Sequence, residues 1–133
     1  MPTCDPIGTA HTPLSTTDDA PRQGFLENVE GTIELEPAYA DGLSGLAPGD
    51  DVLVVWFADR ADRSVLTLDR DGRGVFASRS PARPNPICLT TCEVVAIEGT
   101  TLEVRGVDML DGSPVLDLKR PIDPERRGLE ADG

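Results

Sequence analysis

The sequence predicts an all-β fold: a small antiparallel barrel, closed or nearly closed, of about seven or eight strands. Three observations predict it. Twelve prolines and 13 glycines are spread through 133 residues and leave no room for long helices. The apolar residues fall in short segments, each bounded by turn-forming residues. Eight such segments in one small chain would expose many sheet edges unless the sheet closed on itself.

The segments run in order. Residues 7–12 and 32–35 are short and β-branched and read as strands. Residues 39–46, YADGLSGL, have room for one helical turn at most. Residues 51–57 contain the continuous apolar run VLVVWF, which suits a central strand covered on both faces. Residues 64–68 and 74–77 read as two further strands around the Asp71-Gly72 turn. Residues 89–97 and 101–107 form the clearest hairpin, turning at Glu98-Gly99-Thr100, where the glycine can take the positive φ such a turn needs. Residues 115–118 are the last strand. The chain, 1–133, reads as a single domain, with a polar tail over about 121–133 expected to fray.

Charge narrows the function. Twelve Lys and Arg against 24 Asp and Glu give −12 and an isoelectric point near 4.3. Such a balance argues against broad binding of phosphate backbones and suits a high-salt cytoplasm or the coding of a GC-rich genome. The distribution is uneven. Residues 57–86 hold six arginines and four aspartates, a net of +2, so the rest carries −14. The middle of the sequence is where an anion or an RNA phosphate would be received. No apolar run approaches the roughly 20 residues that cross a bilayer. The start, MPTCDPIG, lacks the regions of a signal peptide. Both point to a cytoplasmic chain away from membranes.

Three cysteines, Cys4, Cys88 and Cys92, form an odd set and read as reduced thiols. Cys88 and Cys92 lie four apart and would share one face of a strand. With only His11 to join them, a zinc site is not expected, and packed thiols are the simpler reading. There is no GxGxxG, no GxxxxGK[ST] and no G-x-S-x-G, which removes dinucleotide folds, P-loops and the nucleophile elbow.

Two segments stand out. In residues 78–87, SRSPARPNPI, three prolines within six residues stiffen the chain around Arg79, Arg83 and Asn85. Preorganised guanidinium groups lose less entropy on meeting a carboxylate, phosphate or base. In residues 107–117, VDMLDGSPVLD, Asp108 and Asp111 precede Gly and Pro. Locally this is a turn whose carboxylates cap backbone N–H groups; it is equally a place to hold a ligand's hydroxyls or amine. A third segment, Pro21-Arg22-Gln23, is a loop tip that carries little weight alone.

Together these segments resemble the TrmO family, also called TsaA-like or YaeB-like. The matching stretches are IGTAHTP (7–13), PRQGFL (21–26), EGTIELEPAYADGLSGL (30–46), VLVVWFADRAD (52–62), GVFASRSPARPNPICL (74–89) and VRGVDMLDGSPVLDLK (104–119). They keep the family's order and cover nearly the whole chain. The resemblance implies a β-barrel homodimer that binds S-adenosylmethionine (SAM) without a dinucleotide fold. It implies methyl transfer to N6 of threonylcarbamoyladenosine in tRNA. It implies cofactor contacts at Pro21, Arg22 and Gln23, at Arg79 and Arg83, at Leu89, and over Asp108, Met109, Leu110 and Asp111. No general base and no metal ligand follow from it. Two positions depart from the family pattern: Cys88 stands where glycine is usual after Pro-Asn-Pro-Ile, and Phe57-Ala58-Asp59-Arg60 stands where many members have His. The C-terminal domain of longer members, thought to help with tRNA, is absent from this sequence. These departures and the acidic surface keep two alternatives in play: a methyltransferase of the same fold acting on a small molecule, and a SAM-binding module without catalysis.

Overall fold

The structure, a computed structural model, describes residues 2–15, 29–69 and 71–122. Six strands are described: β1 (Gly8–His11), β2 (Glu30–Leu35), β3 (Asp51–Phe57), β4 (Ile87–Glu98), β5 (Thr101–Arg105) and β6 (Pro114–Lys119). They close into an antiparallel barrel in the order β1-β2-β5-β4-β3-β6. β1 completes it by pairing with β2 on one side and β6 on the other, through Gly8 opposite Leu35 and Val115.

The predicted class and the closure hold; the strand number is lower than the expected seven or eight. Residues 64–68 and 74–77 do not enter the sheet. They meet in one isolated bridge, Thr67 with Gly74. The Asp62 carboxylate accepts from both the Ser64 N–H and the Ser64 hydroxyl, which turns the chain before a ladder can start. Val75–Ala77 is a single 3-10 turn. The helical stretch is longer and earlier than expected: a seven-residue 3-10 helix, Pro37–Leu43, begins at Pro37, whose ring presets φ.

β3 has the predicted bounds, but its burial alternates. Val52, Val54 and Trp56 are buried in the barrel, while Leu53, Val55 and Phe57 face outward half-covered. The hairpin from β4 to β5 turns at Gly99 and Thr100, with Glu98 opposite Thr101. Gly99 has φ +63° in the first turn position, as glycine-first hairpin turns require. Inward residues of every strand, among them Ala10, Ile33, Val54, Val94, Leu102 and Val115, make one core with no accessible surface.

β3 ends, and β4 and β6 begin, at the same mouth of the barrel. The connection 58–86 leads to β4 there and the connection 106–113 leads to β6, so both singled-out segments are delivered to one end.

Candidate functional site at the barrel mouth

Asp108 lies half-buried where the 106–113 connection crosses the mouth. Its Oδ1 accepts a hydrogen bond from the Thr90 hydroxyl at 2.5 Å. Thr90 is buried on β4, facing inward, and its Oγ1 in turn accepts from Trp56 Nε1 on β3 at 3.0 Å. Burial pushes the Asp108 carboxyl above its ordinary value of 3.8; the Thr90 hydroxyl, its own backbone N–H and the charge of Arg79 oppose that rise.

Asp111 plays a different part. Its Oδ1 accepts from the Thr12 backbone N–H at 3.0 Å and its carbonyl from Arg60 Nη2 at 2.7 Å, while its own N–H bonds the Leu14 carbonyl at 2.7 Å. This is the capping role that the local pattern favours. Met109 has no accessible surface and its side chain belongs to the core; its carbonyl accepts the Thr12 hydroxyl at 2.9 Å. Leu110 is half-buried, and its carbonyl accepts the Ser113 hydroxyl at 2.6 Å.

The two arginines of the proline-rich loop divide. Arg83 turns inward on its own loop and donates to the carbonyls of Val75, Ser78 and Ser80. It staples the loop and has few donors left for a ligand. Arg79 is exposed, donates to the Leu89 carbonyl at 3.2 Å, and acts electrostatically on both Asp108 and Cys88. Leu89 faces outward and is 38% exposed. Asn85 accepts from Arg63 Nη2 at 3.2 Å, and the Arg63 guanidinium lies 5.7 Å from the Phe57 ring centre. The loop is thus rigid through prolines and guanidinium–carbonyl bonds together.

Pro21, Arg22 and Gln23 lie outside the described residues. The described flanks of their segment reach the same turn: Leu14 through Asp111, and Val29 through carbonyl bonds from the Gly106 and Val107 N–H groups at 2.8 and 3.2 Å.

Cys88 and Cys92 share the inward face of β4, as their spacing predicts. Burial, then the charge of Asp108, pushes their thiols up to about 11 and about 12. They are neutral, unreactive groups at physiological pH. Among the described residues no three His, Cys, Asp or Glu side chains gather to hold a metal ion.

Thr90, Trp56 and Arg60 escaped sequence reasoning. Thr90 had a signal: it sits between Cys88 and Cys92 in the inward-facing set of β4, a hydroxyl in an otherwise apolar row. Arg60 had none, because its partner is a backbone carbonyl 51 residues away. An open groove of about 1010 Å³ lies at the other end of the barrel beside Ser44, Asp50 and Lys119 and contains none of these residues.

The model of the tRNA-methyltransferase O N-terminal domain matches residues 9–123. This chain belongs to the TrmO family. Among TrmO relatives, a Halobacterium salinarum protein named "Probable S-adenosyl-L-methionine-binding protein" is 52% identical over 120 residues, covering 89% of this chain and 97% of that protein. The Archaeoglobus fulgidus "S-adenosyl-L-methionine-binding protein" is 41% identical, covering 86% of each. A mouse tRNA (adenine(37)-N6)-methyltransferase is 54% identical over 46 residues, 35% of this chain and 11% of that protein. The crystal structure of TrmO from Pseudomonas aeruginosa superposes with a TM-score of 0.78 at 31% identity, covering 96% of this chain. This chain spans 58% of that one, a little over half.

Proposed function

We propose that this TrmO-family chain is a SAM-dependent methyltransferase whose acceptor is N6 of threonylcarbamoyladenosine in tRNA, and that it works as a homodimer. One observation carries the reading: at one barrel mouth Thr90 of β4 holds Asp108 while the carbonyl of the preceding residue, Leu89, holds Arg79, so two segments about thirty residues apart meet on adjacent residues of one strand. SAM carries an ammonium, ribose hydroxyls and a carboxylate, so a half-buried acceptor beside an exposed guanidinium fits it. The relatives named for SAM binding and for adenine-N6 methylation support the same reading.

In this scheme Asp108 accepts from the ligand's amine or ribose, and Arg79 meets its carboxylate. Leu89 offers apolar surface, and the backbone around Leu110 lines the edge. Pro21, Arg22 and Gln23 complete the contacts that the family resemblance implies. Arg83, Met109 and Asp111 hold these groups in place from behind. SAM supplies an activated methyl group on a sulfonium, so the protein's main work is to align donor and acceptor and exclude water. Incubation with SAM and unmethylated tRNA, followed by mass spectrometry of nucleosides, tests the acceptor. A gain of one methyl group on threonylcarbamoyladenosine is expected; none would refute it.

The net charge of −12 favours a second reading, a small-molecule acceptor. SAM turnover that persists after nuclease treatment would select it. Saturable SAM binding with no product from any acceptor would leave a binding module.

A further inference from the structure

Trp56, Thr90 and Asp108 form a polar file inside the barrel, from a buried indole to the mouth. An indole N–H only donates, and a threonine hydroxyl has one proton. With Trp56 Nε1 donating to Thr90 Oγ1 at 3.0 Å, the hydroxyl proton is left for Asp108 Oδ1 at 2.5 Å. That polarity suits a carboxylate, which accepts. Trp56 Nε1 and Asp108 Oδ1 would each lose their partner if the file were cut at the hydroxyl.

We infer that Thr90, oriented by Trp56, is a positioning residue whose hydroxyl fixes the Asp108 carboxylate to receive a hydrogen-bond donor of the cofactor. The inference rests on the reading of this mouth as the SAM site and adds the device that makes it work. Burial alone drives Asp108 toward its neutral form, in which it accepts poorly. The Thr90 hydrogen bond pulls the other way, assisted by Arg79. The remaining titratable neighbours, Cys88 and Cys92 on β4, are neutral thiols at the pH values concerned. His11 and Asp111, 3.9 Å apart, lie on the side of the turn held by Thr12.

The experiment compares wild type with Thr90→Val, which keeps the shape, and Thr90→Ser, which restores the hydroxyl. Carboxyl-carbon NMR follows the Asp108 titration in the protein alone, and calorimetry follows SAM affinity across the same pH range. Thr90→Val is expected to move the Asp108 midpoint upward by about one to two pH units, the worth of a hydrogen bond to a charged group. The pH at which SAM affinity fades should move with it, and Thr90→Ser should return both. The emission of Trp56, the chain's one tryptophan, should report the same midpoint. An Asp108 midpoint unchanged in Thr90→Val overturns the inference. So does an affinity loss that is equal at every pH, which is the mark of mere structural damage. A shifted midpoint without SAM binding by the wild type would instead refute the cofactor reading of the mouth, and with it the ligand half of this inference.

Discussion

Asp108 is an ionisable group kept in a place that disfavours charge. Its folded pKa is raised above the ordinary 3.8, chiefly by burial. The sign follows from linkage: below the unfolded value both states carry the proton and no penalty arises. As pH rises through the folded value, the folded protein must ionise a half-buried carboxyl, and stability is lost. Asp108→Asn should therefore raise the melting temperature at neutral pH, with the gain shrinking as pH falls below the raised pKa toward the ordinary one. Thermal melts across the acidic range check this; a gain that grows toward acid would be the wrong sign. At Arg79 the balance concerns binding. Arg79→Ala should weaken SAM binding by about 1.5 kcal/mol, the lower end for a charge-assisted hydrogen bond because the residue is exposed. Unchanged calorimetric affinity would remove it from the site.

Strands were legible wherever residue type and sheet position agree. β3 is apolar after Asp51 because its inner face meets the core and its outer face is half-covered, so its bounds can be read directly from the sequence. Residues 64–68 look just as β-prone. They stay out of the sheet because Asp62 and the proline-rich loop commit the chain to turns, and because the β3–β4 pair already fills that side of the barrel. The two candidate segments were legible by composition: three prolines stiffen the arginine segment, while two aspartates before Gly and Pro mark a turn. Which arginine faces outward was not, because Arg83 is settled by three carbonyls of its own folded loop. Thr90 reaches Asp108 only after closure brings β4 under the turn. Close strand approach gives a prediction at this scale. A Cβ at Gly8 would lie 2.3 Å from the Glu34 carbonyl oxygen, a backbone atom that cannot swing aside. Gly8→Ala should destabilise the β1–β2 seam by about 1–3 kcal/mol, the usual cost of overpacking. Denaturant unfolding with no change in midpoint would contradict it.

The molecule as a whole repels itself. Its ion pairs, such as Lys119 with Asp117 at 3.0 Å and Arg105 with Glu93 at 3.2 Å, are solvent-exposed and contribute little. By count half of the acids have no compensating cation, with 24 against 12. Raising KCl from about 0.1 M to about 1 M shortens the Debye length from about 10 Å to about 3 Å. The melting temperature should rise by several degrees, because screening relieves more repulsion than attraction. The same salt should weaken any RNA contact made through the arginines of 57–86. A melting temperature that falls with salt would show the acids to be better paired than they look.

The seam of the barrel joins its first strand to its last, with Gly8 opposite Val115. During synthesis β1 emerges early and must wait for a neighbour that is translated more than a hundred residues later. Until β6 leaves the ribosome the curved sheet has two raw borders and no finished rim. A nascent chain halted before that point should gain nothing from the cofactor, however complete its arginine loop.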